Sequence, residues 1–271
     1  GTDGQTMAWM MDTYSQEKGY AIPGVVTGKP VEIGGSLGRA ESTGRGVVYT
    51  IVQAAERLGM RLDASTTVSV HGFGKVGAVA AEEMALLGTR VVAVSDVAGG
   101  LYNKNGLDIK AVIEYMAKNR TLKGYPGADA ITNEQLLELP VDVQIPAAID
   151  GVINEKNVRN VRAKIIAEGA NGPITHQAHK ELVDRGTWII PDVLCNAGGV
   201  IVSYFEWVQG LQNFFWSEAE VNKQLKQTIT NGFERVMNNM DVYKTKDMKI
   251  AALITGVDRL NRAMLLRGLF P

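Results

Sequence analysis

The sequence predicts an α/β fold, a doubly wound parallel sheet with extra helices at its C-terminal end. Three observations support this prediction. Short runs rich in β-branched residues alternate with helical stretches from about residue 66 to residue 191, as is typical of right-handed βαβ units. Three glycines spaced G-x-G-x-x-G follow the first of these runs. From about residue 198 the hydrophobic pattern becomes helical to the end of the chain.

Hydrophobic periodicity places the elements in chain order. A stretch rich in glycine and proline, 19–39, separates the first two helices and is expected to be a linker or hinge. The predicted strands are 66–71, 91–95, 142–146, 164–168 and 187–191. The predicted helices are 5–17, 42–59, 75–87, 108–119, 133–138, 155–160, 175–185, 198–215, 218–240 and 247–266.

Composition limits the class of protein. The chain has 271 residues, of which 45% are hydrophobic, and a net charge of −1. This length suits one large or two modest domains with a hydrophobic core. The small net charge offers no electrostatic footprint, so neither nucleic acid nor a membrane surface is an expected partner. We also expect no transmembrane helix and no signal peptide, and the single cysteine, Cys195, favours a cytoplasmic location.

The stretch VSVHGFGKVG, residues 68–77, has the context of a dinucleotide-binding motif, since a predicted strand enters it and a predicted helix leaves it. Gly72 would make the tight turn, Gly74 would let the backbone approach a pyrophosphate, and Gly77 would let helix and strand pack closely. Free N–H groups at the start of the helix favour phosphates. The motif predicts a Rossmann-type domain, although a strand–turn–helix without a ligand has the same pattern.

The other motif residues and a following carboxylate refine the expected cofactor. Phe73, Lys75 and Val76 are expected to line the site, where Lys75 either holds a phosphate or is simply solvated. Asp96 ends the next predicted strand and can accept hydrogen bonds from the adenosine ribose. It would repel the 2′-phosphate of NADP, and the nearest base along the chain is Lys104. The sequence therefore favours NAD, with NADP possible.

Four further stretches carry a resemblance: GGSLGRAESTGRGV (34–47), IPAAIDGVIN (145–154), AEGANGP (167–173) and PDVLCNAGGVIVSYFEWVQ (191–209). With HGFGKVG between the first two, the chain resembles the glutamate/leucine/phenylalanine/valine dehydrogenase family over its whole length. NAGGVIVSYFEWVQ resembles the glutamate branch. The resemblance implies NAD(P)-dependent oxidative deamination of glutamate to 2-oxoglutarate and ammonia, with those two compounds as partners of the intact enzyme.

The resemblance also implies cofactor contacts. Thr43 is expected near the nicotinamide and phosphates, and Ala147 and Ala148 beside the adenosine ribose. Asn171 is expected near the nicotinamide ribose and Asn196 at the nicotinamide carboxamide. Taken singly, each polar residue has a structural alternative: Thr43 as a helix cap, Asn171 as a turn residue and Asn196 as a helix N-cap.

Substrate contacts are implied at Arg39, Val200 and Ser203, with Ser203 donating to the distal carboxylate or, alternatively, serving only as a helix-face hydroxyl. The family's general-base lysine and catalytic aspartate have no counterpart in these residues. We therefore expect no catalytic residue in this chain, and cofactor binding without turnover of glutamate.

The same resemblance predicts the organisation of the chain. Residues 1–33 would be a remnant of the substrate domain plus a hinge, 34–246 the NAD-binding domain, and 247–271 a C-terminal helix returning toward the substrate domain. Five apolar side chains are expected at the surface: Met7, Met10, Met11, Leu260 and Leu265. The resemblance implies a homo-hexamer for the intact enzyme, whereas this chain alone is expected to be a monomer or a new dimer. Two alternatives remain: the cofactor domain of a leucine, phenylalanine or valine dehydrogenase, and a non-catalytic nucleotide-binding module.

Overall fold

A single twisted sheet forms the centre of the protein in the computed structural model, which describes residues 2–268. The strands are β1 (Thr67–His71), β2 (Arg90–Asp96), β3 (Gly99–Tyr102), β4 (Asp129–Ile131), β5 (Val143–Pro146), β6 (Ile165–Ala167) and β7 (Trp188–Ile190). They lie in the order β4-β3-β2-β1-β5-β6-β7. Strands β2, β1, β5, β6 and β7 are parallel and match the five predicted strands. The predicted α/β fold is confirmed.

Helices cover both faces of the sheet and continue beyond it. They are α1 (Gly4–Lys18), α2 (Ser42–Arg57), α3 (Lys75–Leu86), α4 (Ile109–Asn119), α5 (Asn133–Leu137), α6 (His176–Asp184), α7 (Asp192–Cys195), α8 (Gly198–Gln212), α9 (Glu218–Tyr243) and α10 (Met248–Arg267). Side-chain caps fix several starts: Asp108 caps α4, and Thr132 forms a capping box with Gln135 on α5. Within residues 2–268, no helix has the length and apolar character needed to span a membrane.

The structure corrects one predicted helix. Residues 155–160 form only a short 3₁₀ turn, Val158–Asn160. Asparagine side chains satisfy the backbone locally here: Asn157 Oδ1 accepts from the N–H of Asn154, and Asn154 Oδ1 accepts from the N–H of Lys156. Such local hydrogen bonds favour turns over a continuing helix.

Alternation along the strands sends apolar side chains to both faces of the sheet. Ile165 and Ile190 join the core under α2, α3, α9 and α10, whereas Ile166 and Ile189 join the core under α6. Strand β1 lies between β2 and β5. The strands that follow β1 first extend the sheet on the β2 side, and the later strands extend it on the β5 side. In such sheets the carboxyl ends of the strands at this reversal open a crevice.

The predicted linker 19–39 is fixed to α8 rather than free. The ammonium of Lys29 lies 2.6 Å from Glu206 Oε1, and neither side chain is exposed. Glu206 also accepts from the backbone N–H of Gly28 at 2.8 Å, and Gln209 Nε2 donates to Ser36 Oγ at 3.0 Å. The linker therefore has a defined position against the helix.

Candidate functional site

The glycine turn between β1 and α3 has the backbone geometry that its motif requires. Gly72 has a φ of +97°, in the left-handed region that favours glycine. A Cβ on Gly77 would overlap the carbonyl oxygen of Gly72, so helix and strand touch at backbone distance. Around Gly74, the N-cap of α3, a Cβ would meet nothing within 4 Å. The turn therefore presents an open backbone surface and unpaired helix N–H groups to the crevice.

Two adjoining clefts lie at the carboxyl ends of the parallel strands and share Ala147, Ala148 and Ile149. The larger has a volume of about 780 Å³, and its lining includes these predicted residues: Arg39, Thr43, Val76, Asn171, Asn196, Val200 and Ser203. The smaller has a volume of about 440 Å³ and is lined in part by Gly72, Phe73, Gly74 and Asp96. Lys75 is exposed and Gly77 is buried beneath the turn, and these two predicted residues line neither cleft.

An asparagine pair forms one wall of the larger cleft. Asn196 Nδ2 donates to Asn171 Oδ1 at 2.7 Å, which joins the loop after β6 to the end of α7. This bond leaves Asn196 Oδ1 as an acceptor and Asn171 Nδ2 as a donor for a ligand. Asn196 caps the C-terminal end of α7, so its predicted alternative as the N-cap of α8 is wrong; Ala197 takes that position.

The starts of α2 and α8 meet at the other wall. A Cβ on Gly198 would overlap the carbonyl oxygen of Ser42, and one on Gly199 would lie 2.6 Å from Thr43 Oγ1. The two glycines therefore allow the helices to touch, with Thr43 facing the cleft. Thr43 lies inside α2, whose N-cap is Glu41, so the alternative of a helix cap for Thr43 is wrong.

Ser203 and Arg39 also line the larger cleft. The hydroxyl of Ser203 donates to the carbonyl of Gly199 at 3.0 Å. Since a hydroxyl has one proton, donation to a substrate carboxylate would require Ser203 to release that carbonyl. Arg39 Nε is buried without a hydrogen-bond partner, so this guanidinium has unused donor capacity beside the cleft.

Asp96 in the smaller cleft is already held by the protein. Its Oδ1 accepts from the N–H of Ala98 at 2.7 Å, and its Oδ2 accepts from the N–H of Leu122 at 2.7 Å and from Thr121 Oγ1 at 3.1 Å. A carboxylate has about four acceptor positions, so one remains for a ribose hydroxyl. Nearby, burial lowers the pKa of His71, opposed by the charge of Glu134, which suits a neutral wall residue.

One buried acid beside the larger cleft is absent from the sequence-based site. Glu168 follows β6 directly, has no exposed surface, and accepts from the N–H of Asp192 at 2.8 Å through Oε2. Burial raises its pKa, against the opposing effect of that N–H donor. The sequence signal is a glutamate at the end of the apolar run KIIAEGAN, where a charge is unusual.

Cys195 lies fully buried at the end of α7, where its sulfur lies 3.6 Å from Thr50 Oγ1. Burial raises the pKa of its thiol. Across residues 2–268, no three His, Cys, Asp or Glu side chains are arranged to hold a metal ion.

Comparison with known proteins identifies the family. A family model described as Glutamate/Leucine/Phenylalanine/Valine dehydrogenase matches residues 34–268. Glutamate dehydrogenase of Thermotoga maritima is 47% identical over 271 residues, and the chain spans 65% of the length of that relative.

Solved structures agree with this match. A hetero-hexameric glutamate dehydrogenase from Thermus thermophilus, in its Leu-bound form, has a TM-score of 0.93 and 36% identity, and the match covers 100% of this chain and 64% of that one. Glutamate dehydrogenase from Peptoniphilus asaccharolyticus has a TM-score of 0.85 and 33% identity, with the same coverage. The chain therefore belongs to the glutamate/leucine/phenylalanine/valine dehydrogenase family.

Proposed function

We propose that this chain is the NAD-binding part of a glutamate dehydrogenase, which converts L-glutamate to 2-oxoglutarate and ammonia. The observation that carries the proposal is the pair of adjoining clefts, which run from the glycine turn to the asparagine pair. The names of the relatives favour glutamate over leucine, phenylalanine or valine. When bound, the nicotinamide cofactor supplies the hydride acceptor.

The residues of the clefts suit a dinucleotide. The N–H groups at the start of α3 would bind the pyrophosphate, because Gly74 leaves the backbone open there. Asp96 would accept from the adenosine ribose with its remaining acceptor position. Asn196 Oδ1 would accept from the nicotinamide carboxamide and Asn171 Nδ2 would donate to the nicotinamide ribose, with Thr43 on the opposite wall.

The larger cleft would position a substrate, but its lining residues include no lysine. Arg39 and Asp150 are the ionisable side chains among its lining residues. Arg39 would contribute positive charge toward a substrate carboxylate, and Val200 and Ser203 would pack beside the substrate. The lysine and aspartate that the family's reaction uses are not among the lining residues, so we propose that this chain binds cofactor without turning over glutamate.

Titration with NADH and NADPH tests the cofactor assignment, with nicotinamide fluorescence and calorimetric heat as readouts. We expect saturable binding of NADH, tighter than that of NADPH. Asp96→Asn removes the repelling charge and should reduce the preference about tenfold, equivalent to roughly 1.4 kcal/mol. Asp184→Asn, at the far end of α6, serves as the control.

Other outcomes of this titration would contradict the proposal in different ways. Equal affinity for both cofactors would exclude a role for Asp96 in selection. Tight binding of ATP or ADP without binding of NADH would favour a non-catalytic nucleotide-binding module. NAD-dependent oxidation of glutamate by the pure 271-residue chain would disprove the expected lack of turnover.

The Thermus thermophilus neighbour is a hetero-hexamer, and we propose that the intact enzyme is likewise hexameric. A cytoplasmic location rests on the use of a single cysteine.

A further inference from the structure

Two acidic side chains tie together the loop after β6 and the start of α7. Glu168 lies in the loop and accepts from the N–H of Asp192, the first residue of α7, at 2.8 Å. Asp192 in turn accepts from the N–H of Gly172 in the loop at 2.8 Å. Each segment thus provides one carboxyl group and one backbone N–H to the other.

The asparagine pair completes a closed ring. Asn171 lies between Glu168 and Gly172 on the loop, and Asn196 caps the C-terminal end of α7. Their side chains meet at 2.7 Å, while the N–H of Asn196 donates to the carbonyl of Asp192 at 3.0 Å. A shift at the start of α7 would therefore move the carboxamide of Asn196.

The surroundings of Glu168 suit a neutral acid. The residue has no exposed surface, and its Oε1 has no hydrogen-bond partner. Leaving a carboxylate oxygen buried and unpaired is costly, and the negative charge of Asp192 adds to that cost. Lys249 and His179 act in the opposite direction, and His179 is itself bonded to Asp247 at 3.0 Å.

We propose that Glu168 is a positioning residue for the nicotinamide end of the cofactor. It holds the first N–H of α7 and thereby fixes the Asn171–Asn196 pair at the wall of the larger cleft. This inference rests on the proposed cofactor function. Glu168 touches neither cleft, so its influence passes through the ring and not through direct contact.

Comparison of NADH with ADP-ribose tests this inference, because ADP-ribose lacks only the nicotinamide. Glu168→Leu removes the acceptor, and we expect NADH affinity to fall about tenfold, as for the loss of one hydrogen bond. ADP-ribose affinity should change less than about twofold. Asn196→Ala removes the carboxamide directly and should show the same difference between the two ligands.

Variants that change either the polarity or the length of the side chain at position 168 provide the decisive comparison. Glu168→Gln keeps an acceptor oxygen in place and should restore NADH binding, whereas Glu168→Asp withdraws it by one methylene and should not. The latter two variants keep the test valid if Glu168→Leu fails to fold. Gln144→Leu is the matched control, since Gln144 is equally buried and bonds Leu137, away from both clefts.

Each result has one meaning. Wild-type NADH affinity in Glu168→Asp, or equal weakening of NADH and ADP-ribose in the variants, would overturn the positioning role. Failure of the unsubstituted chain to bind either ligand would instead contradict the proposed cofactor function.

Discussion

A glycine of the turn, Gly77, has almost no free space around its Cα. Gly232 on α9 is also a helical glycine, but the two differ in what an added methyl group would meet. At Gly77 it would overlap the carbonyl oxygen of Gly72, while at Gly232 the nearest atom, on Leu194, lies 3.6 Å away in ordinary contact. The first glycine is required by packing, and the second is not.

We therefore expect opposite effects from two alanine substitutions. Gly77→Ala should destabilise the fold by about 1–3 kcal/mol and weaken NADH binding, since the turn must shift. Gly232→Ala should stabilise α9 by about 0.5–1 kcal/mol, because alanine has the higher helix propensity. Urea unfolding and NADH titration measure both, and equal stabilities of the two variants would contradict the packing argument.

Glu168 gives the stability of the protein a particular dependence on pH. Its pKa is raised in the folded state by burial, so the unfolded chain loses the proton first as pH rises above the ordinary value of 4.5. The stabilising contribution is therefore complete below that value and is lost as pH rises through the folded-state pKa. Acids with lowered pKa values act the other way: for Asp142, burial is outweighed by hydrogen bonds from Lys164 and Thr67.

A comparison with Glu168→Gln isolates this contribution. As the pH rises above the ordinary value of 4.5, the unfolding free energy of the wild type should fall relative to that of the variant, until Glu168 is ionised in the folded protein as well. Urea unfolding at several pH values provides the measurement. Parallel pH profiles would show that Glu168 is ionised in the folded protein.

At the scale of elements, the linker and α8 behave as one unit because of the buried pair Lys29–Glu206. If either side chain moved away, the charge of the other would be left buried without a counter-charge. Helix α8 also supplies Val200 and Ser203 to the larger cleft, so the position of the linker and the shape of the cleft are connected through one helix.

Breaking this pair should be costly, and removing both charges much less so. Glu206→Gln leaves the ammonium of Lys29 without its counter-charge, and we expect a loss of about 3–5 kcal/mol. The double variant Lys29→Met, Glu206→Leu should recover most of that loss, because both desolvation costs disappear. A double-mutant cycle by chemical unfolding checks both expectations, and a single-variant loss below about 1 kcal/mol would match a solvent-exposed pair instead.

The elements differ in how far sequence predicts them. The parallel strands were predictable because each is a short β-branched run buried on both sides. The antiparallel strands β3 and β4 were not, since Gly99–Tyr102 contains two glycines and Asp129–Ile131 is largely exposed. Helix α7 was not predicted either, because it is only four residues long and shows no helical periodicity. In the site, the glycine motif was readable locally, whereas Glu168 acquires its role through contacts with α7 that only the fold creates.

At the scale of the whole molecule, an apolar stripe runs along the outside of α10. Ile250, Leu253, Val257, Leu260 and Met264 recur at spacings of three and four residues, and each is 49–64% exposed. Met10 on α1 is 52% exposed. The expected surface exposure is confirmed for Met10, Leu260 and Leu265, whereas Met7 and Met11 are half-buried. Contiguous apolar surface of this kind favours association.

We therefore expect the isolated chain to associate as its concentration rises. Leu253→Lys with Leu260→Lys should reduce that association without changing NADH affinity, because α10 lines neither cleft. Light scattering coupled to size-exclusion chromatography measures the effect. Lys110→Ala, on the surface of α4, controls for the general influence of charge. Unchanged association in the double variant would place the contact elsewhere.

The buried thiol of Cys195 makes local opening of the protein measurable. A thiol reagent reaches this sulfur only when α7 separates from α2, so the rate of labelling reports how often that region opens. Cys195 directly precedes Asn196. A ligand bound in the larger cleft should therefore slow the labelling of Cys195. The ratio of the labelling rates without and with the ligand would give the part of the binding free energy that holds α7 against α2.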